Sequence, residues 1–248
     1  MQRIAVLNPK GGSGKTTLAT NLASYFAASG KKTALMDYDS QGSSTFWVGQ
    51  RPADRPAIQV IPAYKHPAGV TRNWFLRVEP STECLIIDTA AALDFATFRR
   101  TLQEASAIII PVLPSDVDIH AVAISIGQLL TIAKIDRNDQ RIAVVANRAR
   151  KNTLVYQRLV HFLNTLRIPF LTTLRDTQNY INATGLGLGI FEMPEQKVHE
   201  DLVAWQPLLE WLAQHSEERS AMTSTSPFNE RGNEGDLQRR LKSPLTPL

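Results

Sequence analysis

One segment constrains the fold more than any other part of the sequence: the glycine-rich run Gly11-Gly12-Ser13-Gly14-Lys15-Thr16-Thr17. It follows an apolar strand-like run and opens a segment with helical periodicity. Glycines let a loop close around phosphate oxygens, while the N–H groups and the dipole of the following helix point toward the negative charge. This order predicts a phosphate-binding loop, in which Lys15 reaches the β- and γ-phosphates and the Thr16 hydroxyl holds Mg²⁺. An ordinary glycine turn is the alternative interpretation.

Along the rest of the chain, short β-branched runs alternate with helix-period segments, which predicts a mainly parallel sheet covered by helices on both faces. The predicted strands are Arg3–Leu7, Thr33–Met36, Ile58–Ile61, Cys84–Ile87, Ala107–Val112, Ile142–Ala146 and Phe170–Thr173. The predicted helices are Lys15–Ser29, Phe95–Glu104, Ile119–Ile135, Asn152–Thr165, Gln178–Thr184 and Glu195–Gln214. We therefore expect a single α/β P-loop domain over residues 1–214.

The last part of the chain differs in composition. From about Ser216 it is rich in Ser, Thr, Pro, Glu, Gly and Arg, with almost no aromatic residue. Such a segment buries too little apolar surface to order itself, so we expect a disordered tail over residues 215–248. Within it, the segment Leu237–Lys242 is open to two interpretations, a solvated charged end or a weak amphipathic contact with a membrane or partner.

Several features indicate a cytoplasmic protein without stable membrane association. The apolar strand-like run begins at the N-terminus, which leaves no room for a signal peptide. No apolar run approaches the roughly 20 residues that a spanning helix needs. Cys84 is the single cysteine, which excludes an internal disulfide and a four-thiolate cluster within one chain. The five histidines show no ligand spacing, so we expect no zinc site.

Carboxylates follow two of the predicted strands at the end where open α/β sheets bind their ligands. Asp88 closes the apolar run Cys84–Ile87, an arrangement that suits a ligand of the Mg²⁺ shell. Asp37 and Asp39 follow the second strand two residues apart, so they point to the same side if the strand stays extended. One of them then approaches the γ-phosphate. A surface acidic pair that caps the next turn is the alternative.

Three segments together resemble the ParA/MinD family of deviant Walker ATPases over about residues 1–214. They are Lys10-Gly11-Gly12-Ser13-Gly14-Lys15-Thr16-Thr17, then Asp37-Tyr38-Asp39-Ser40-Gln41-Gly42, then Asp88-Thr89-Ala90-Ala91. In that family an extra lysine at the start of the loop crosses an ATP-sandwich dimer to the phosphates of the other subunit, and Lys10 matches it. Family members often carry proline where this chain has Ser40, Ala90 and Ala91. These departures leave the rigidity of the switch loops and the hydrolysis rate open.

The resemblance implies a role for each matched residue. The catalytic residues are Lys10, Lys15 and Asp39, with Asp39 orienting the attacking water and Asp37 supporting the loop. The implied metal residues are Thr16, Asp39 and Asp88. Asn147-Arg148 resembles the family's adenine-contacting element, and Pro114 lies in a segment that resembles its purine pocket. The implied ATP-binding residues are Gly11, Gly12, Ser13, Gly14, Lys15, Thr16, Thr17, Pro114, Asn147 and Arg148.

A basic group in the later half suggests contact with DNA. The net charge is +4, and four basic residues match the part of the fold in which DNA-binding family members carry theirs: Arg148, Arg150, Lys151 and Arg175. Scattered solvated side chains are the alternative, since spacing alone does not show that these residues share a face.

The leading functional interpretation is a ParA-type ATPase that uses ATP and Mg²⁺, forms an ATP-dependent homodimer and binds double-stranded DNA nonspecifically in the cytoplasm, on the nucleoid. A ParB-like or McdB-like partner then stimulates hydrolysis, and the cargo is a plasmid, a chromosome, a carboxysome or another protein cluster. Two alternatives remain at this point. One is a membrane-cycling regulator of the MinD kind, and the other is a metabolic ATPase on the same scaffold.

Overall fold

A seven-stranded sheet, parallel throughout, forms the centre of the molecule. The computed structural model describes residues 1–65, 76–132, 140–165 and 168–224. The strands are β1 Gln2–Val6, β2 Thr33–Asp37, β3 Ile58–Pro62, β4 Cys84–Asp88, β5 Ala107–Val112, β6 Ile142–Ala149 and β7 Phe170–Arg175. They lie in the order β3-β2-β4-β1-β5-β6-β7, so β1 is central.

Helices connect and cover these strands. In the described ranges they are α1 Lys15–Ala28, α2 Ser43–Gly49, α3 Phe95–Glu104, α4 Asp116–Ile132, α5 Leu154–Thr165, α6 Gln178–Gly185 and α7 Glu195–Ser224. Short 3₁₀ turns lie at Ala63–Lys65 and Ile190–Glu192. None of the helices in these ranges is both long enough and apolar enough to cross a bilayer.

The sheet divides the hydrophobic core into two clusters. Successive side chains of a strand point to opposite faces, so Ile4 and Val6 of β1 join one cluster and Ala5 joins the other. The first cluster contains residues of α1 and α7, whereas the second contains residues of α3, α4 and α5. Both faces of the sheet are therefore covered, which explains why its strands read as continuous apolar runs.

The predicted fold is confirmed, and each predicted strand is present with shifts of only a few residues at its ends. The sequence did not reveal α2, because a seven-residue helix that opens with Ser-Ser-Thr lacks a clear period. The helix predicted over Ile119–Ile135 begins earlier, at Asp116, and its last three positions lie outside the described residues.

The C-terminal boundary differs from the expectation. Helix α7 continues to Ser224, so residues 215–224 lie in a helix and not in the tail expected over residues 215–248. Composition alone misjudged this stretch, since Glu, Arg and Ala are good helix formers that can extend a helix already docked on the sheet. Residues 225–248, including the segment Leu237–Lys242, lie outside the described ranges.

The packing of α1 on the sheet gives the first prediction. Leu22 is completely buried in the first core cluster. Leu22→Ala should lower the free energy of unfolding by about 2–5 kcal/mol, because it leaves a cavity that close packing cannot fill. Ile181→Ala is the control, since this side chain is exposed and its loss should cost no more than about 0.5 kcal/mol. Urea denaturation followed by circular dichroism measures both, and equal losses would contradict the packing described here.

Candidate functional site

The carboxyl ends of three central strands and the glycine loop meet at one edge of the sheet. In the strand register, Asp88 at the end of β4 lies beside Val6 of β1 and beside Asp37 of β2. The adjoining cavity has a volume of about 550 Å³. It is lined by the glycine loop, the segment after β2, the turn after β4 and a single arginine, as follows: Gly11, Gly12, Gly14, Lys15, Thr16, Thr17, Asp39, Ser40, Gln41, Ser43, Ala90, Ala91, Ala92 and Arg148.

The glycine loop has a conformation that only glycine adopts easily. Gly12 and Gly14 have φ angles of +76° and +89°. A Cβ atom on Gly14 would lie 2.0 Å from Nδ2 of Asn147, which donates a hydrogen bond of 3.0 Å to the carbonyl oxygen of Ser13. Asn147 therefore holds the loop from outside. Its implied contact with adenine stays a prediction, because the structure shows its amide engaged with the loop.

Lys15 is almost fully buried at the start of α1, and its Nζ donates a hydrogen bond of 3.2 Å to the carbonyl oxygen of Lys10. Burial lowers the pKa of the Lys15 amino group, whereas the nearby carboxylates of Asp88 and Asp39 raise that pKa. The structure thus brings together three of the residues that the sequence singled out. Lys15 and Asp39 line the cavity, and the charge of Asp88 acts on Lys15 from beside it.

Asp88 is 1% exposed, and neither of its carboxylate oxygens has a hydrogen-bond partner among the described residues. Burial raises the pKa of this carboxyl to about 7, and the charge of Asp37 acts in the same direction. The hydroxyls of Thr16 and Ser44 and the charge of Lys15 lower the pKa, although neither hydroxyl reaches hydrogen-bond geometry. A buried carboxylate beside a hydroxyl, with its oxygens unused, suits a hard cation such as Mg²⁺.

Asp37 and Asp39 do not form the extended pair that their spacing suggested. Strand β2 ends at Asp37, and its buried carboxylate accepts hydrogen bonds from the Asp39 N–H (3.0 Å) and from the N–H and hydroxyl of Thr45 (2.9 and 2.8 Å). Asp39 is half-buried and lines the cavity, and its Oδ1 accepts from the Gln41 N–H at 3.0 Å. Asp37 therefore shapes the loop, while Asp39 faces the cavity.

Lys10 has a partner that the sequence did not indicate. Its Nζ lies 2.5 Å from Oδ2 of Asp118, a residue of α4 that is 1% exposed, and the Ser115 hydroxyl donates to the same oxygen. The Lys10 N–H donates to Oδ1 of Asn8, whose Nδ2 donates to the carbonyl oxygen of Pro111 at 2.6 Å. Asn8 is next to the loop in sequence, whereas Asp118 is 108 positions from Lys10 and only the fold brings it there.

The Asn147-Arg148 element and Pro114 both lie toward the carboxyl ends of the strands, at the end of β6 and just after β5. Arg148 has a φ of +49°, which is unusual for a residue other than glycine, and its side chain lines the cavity. Pro114 is half-buried in the turn between β5 and α4. Its contact with adenine stays a prediction. A strained backbone at the rim of a cavity is typical of a position held for binding.

The four basic residues separate into two groups. Arg148 and Arg150 both lie within 4 Å of the Asp176 carboxylate, at 3.4 and 3.6 Å, and both are well exposed, as is Lys151. Arg175 lies apart from them in its contacts. Its guanidinium pairs with the buried carboxylate of Asp201 and with Glu200. These contacts assign Arg175 a structural role between β7 and α7.

The unpartnered carboxylate of Asp88 leads to a prediction about pH. Because its folded pKa of about 7 exceeds the value of ~3.9 in an unfolded chain, the stability that the protonated carboxyl gives is lost as pH rises from about 4 to 7. Without nucleotide or divalent metal, Asp88→Asn should therefore be more stable than the wild type at pH 8 and show a weaker dependence of Tm on pH. Thermal unfolding in EDTA between pH 5 and pH 8 measures this.

Asp37→Asn is the matched control for that experiment. It neutralises a neighbouring buried carboxylate whose oxygens accept three hydrogen bonds, so it should lower the Tm throughout the same pH range. A wild type and an Asp88→Asn variant with identical pH profiles would contradict the burial argument.

Comparison with known proteins agrees with this geometry. A family model described as the CobQ/CobB/MinD/ParA nucleotide binding domain matches residues 4–190. The maintenance of carboxysome distribution protein A of Halothiobacillus neapolitanus is 31% identical over 77% of this chain and 87% of its own length. Apo McdA from Cyanothece has the same fold, with a TM-score of 0.67 and 16% identity over 87% of this chain and 99% of that one.

A protein from Borrelia burgdorferi described as a plasmid partition protein, solved with bound AMPPNP, has a TM-score of 0.66 and 18% identity. The alignment covers 84% of this chain and 98% of that one. The family model spans the glycine loop, the two carboxylate segments and the Asn147-Arg148 element, and the resemblance seen in the sequence is confirmed. The chain belongs to the CobQ/CobB/MinD/ParA family of nucleotide-binding domains.

Proposed function

We propose that this protein is a ParA-type ATPase that positions or segregates a cargo. The observation that carries the proposal is the buried carboxylate of Asp88, which has no hydrogen-bond partner in the described part of the chain and lies beside Lys15 and Thr16 at the end of the glycine loop. Burying such a charge is unfavourable unless a ligand compensates it, and Mg²⁺ with a nucleoside triphosphate does so. The relative named for carboxysome distribution favours a carboxysome among the possible cargoes.

The residues around the cavity divide the work of hydrolysis. The N–H groups of the glycine loop and the Lys15 amino group bind the phosphates, and Thr16 and Asp88 hold Mg²⁺. When bound, Mg²⁺ neutralises charge on the phosphate oxygens. Asp39 faces the cavity with its Oδ1 held by the Gln41 N–H, which leaves its second oxygen to orient a water molecule. Asp39 thus acts on the water, whereas Asp88 serves the metal.

Lys10 acts across a dimer in this proposal. Its Nζ is paired with Asp118 of its own subunit, and its side chain keeps about a third of its surface exposed. To reach the phosphates of a second copy it has to leave Asp118, and the negative charge of those phosphates provides the competing attraction. The pair therefore keeps Lys10 away from the partner until a triphosphate is present, which makes dimerisation dependent on ATP.

Two lysine variants test the ATPase. Lys15→Ala should abolish tight ATP binding, because it removes the cation at the phosphates. Lys10→Ala should keep ATP binding and lose ATP-dependent dimerisation or about 10²–10³-fold in kcat, as expected when a group that stabilises developing charge is lost. Fluorescent-nucleotide titration, light scattering and phosphate release give the three measurements. Lys32→Ala is the control that should change none of them, because Lys32 precedes β2 at the end of the strands that lies away from the cavity. An unaltered dimer and turnover in Lys10→Ala would rule out the trans role.

Nonspecific DNA binding is the second part of the proposal. Arg148, Arg150 and Lys151 form an exposed basic group next to the nucleotide cavity. The two arginines of this group share the single carboxylate of Asp176, whereas Arg175 alone pairs with two carboxylates, those of Asp201 and Glu200. Each subunit offers few phosphate contacts, and affinity rises steeply with the number of contacts because each releases counterions. Two subunits joined by ATP double that number.

A ParB-like or McdB-like partner then ends the bound state by stimulating hydrolysis, so the protein cycles between nucleoid and cytoplasm without a stable membrane contact.

Charge removal tests this surface. Arg150→Ala and Lys151→Ala should each weaken ATP-dependent binding to duplex DNA and lower the slope of log K against log salt by about 1, with no effect on ATP affinity. Arg100→Ala removes an exposed arginine of α3 and should leave binding unchanged. Fluorescence anisotropy with two unrelated duplexes across a salt series is the measurement. Equal binding with and without ATP, or a strong preference for one duplex, would count against the proposal.

A further inference from the structure

Two walls of the nucleotide cavity are connected by a loop that lies outside it. One wall is the glycine loop with α1, and the other is the segment 37–42 with α2. Residues 187–192, here called the brace loop, contact both helices. No cavity residue belongs to the brace loop. Its contacts therefore bear on how far apart the two walls lie.

The position of Asp39 depends on α2. Asp37 is bonded to the N–H and hydroxyl of Thr45 in α2, and the Asp39 N–H donates to Asp37. The Gly42 N–H, just before the helix, donates to the carbonyl oxygen of Asp39 at 2.8 Å. A shift of α2 therefore carries Asp39 with it.

The position of α2 depends in turn on the brace loop. A seven-residue helix without a side-chain cap is not stable alone, so its tertiary contacts place it. The Trp47 indole donates to the carbonyl oxygen of Leu188 at 3.3 Å. Arg51, just after α2, forms two hydrogen bonds of 2.9 and 2.5 Å with the Glu192 carboxylate, and both side chains are at most 5% exposed.

The other side of the brace loop rests on α1. A Cβ atom on Gly189 would lie 1.7 Å from Oγ of Ser24, so the backbone of the loop lies directly on that helix. The Ile190 N–H donates to Oδ1 of Asn21 at 2.6 Å. Toward α2, Gly187, with a φ of +65°, also lies close to backbone: a Cβ atom there would lie 2.4 Å from the carbonyl oxygen of Gln50.

We propose that Arg51 and Glu192 are positioning residues for ATP hydrolysis: their buried ion pair sets the spacing between the glycine loop and Asp39. This inference rests on the proposed ATPase function. Binding of ATP depends mainly on the glycine loop and Lys15, which the pair does not touch. Orientation of the attacking water depends on Asp39, and a displacement of about 1 Å can reduce the rate about 10²-fold.

Glu192→Gln is the test, because it keeps the shape of the side chain and removes its charge. One oxygen of Glu192 accepts from Arg51 alone, and the other accepts from Arg51 and from the Gly189 N–H. An amide has only one acceptor oxygen, so its NH₂ group must face a donor. We expect kcat for basal ATP hydrolysis to fall at least about tenfold with KM for ATP changed less than about threefold. Hydrogen exchange of the backbone amides 38–45 should become faster.

Asp201→Asn is the matched control. Asp201 is also buried. As in Glu192, one carboxylate oxygen accepts from an arginine alone, here Arg175, and the other accepts from that arginine and from a second donor, here Asn179. It lies away from the cavity lining. This variant should lower the Tm to a similar degree, with basal kcat and the exchange of amides 38–45 both unchanged.

The outcomes separate the inference from the function on which it rests. An active wild type with an unchanged kcat in Glu192→Gln, or an equal loss of kcat in Asp201→Asn, would overturn the positioning role. If Glu192→Gln does not fold, Arg51→Lys replaces it, since lysine keeps the charge without the paired hydrogen bonds, and an unchanged kcat there is equally decisive. A wild type that hydrolyses no ATP contradicts the proposed function. In that case the exchange measurement still tests the inference: unchanged exchange of amides 38–45 in Glu192→Gln shows that the Arg51–Glu192 pair does not hold this segment.

Discussion

A buried, uncompensated charge at the end of β4 is the constraint around which the molecule is arranged. Asp88 lies between Asp37 and the glycine loop, its oxygens accept no hydrogen bond from any residue that the structure describes, and Lys15 is the nearby cation. A folded protein tolerates such a group only when other interactions supply enough free energy of folding to offset the cost of burying it. Here the two apolar core clusters on the faces of the parallel sheet stabilise the fold, and the buried charge of the site lowers the net free energy of unfolding. The same arrangement that weakens the protein places this charge beside the loop of a nucleotide-binding domain.

Around this charge, polar side chains are used mostly to hold the backbone. Asn147 fixes the glycine loop, Asn8 links the loop to β5, and Asp37 fixes the segment before α2. Asp39 alone among these acidic and amide side chains combines partial exposure with a place in the cavity lining. Among the four side chains named here, three hold the backbone and one faces the cavity. Rigidity of this kind is what places a reacting group accurately.

The sequence was sufficient for the features with local signatures. The glycine loop, the apolar strands and the carboxylates at their ends follow from spacing within a few residues, and the fold they predict is confirmed. Contacts between distant segments were not accessible. Nothing near Lys10 indicates Asp118, and nothing near Arg175 indicates that Asp201 neutralises it. The Arg51–Glu192 pair was equally hidden, since 141 positions separate its members.

The central position of β1 has a consequence for the life of the chain during synthesis. Among the seven strands of the sheet, β1 comes before the others along the chain, yet its neighbours in the sheet are β4 and β5, which are made much later. A ribosome that has released only the first three strands has exposed the complete glycine loop, but not the carboxylate that faces it. Long-range pairing of this kind is slow, because the intervening chain must lose conformational entropy on closing into a loop before any contact between the strands offsets that loss. A nascent or truncated chain that ends before Asp88 therefore has the glycine loop without the carboxylate that lies beside it, so the cavity described above cannot be completed until β4 has been made.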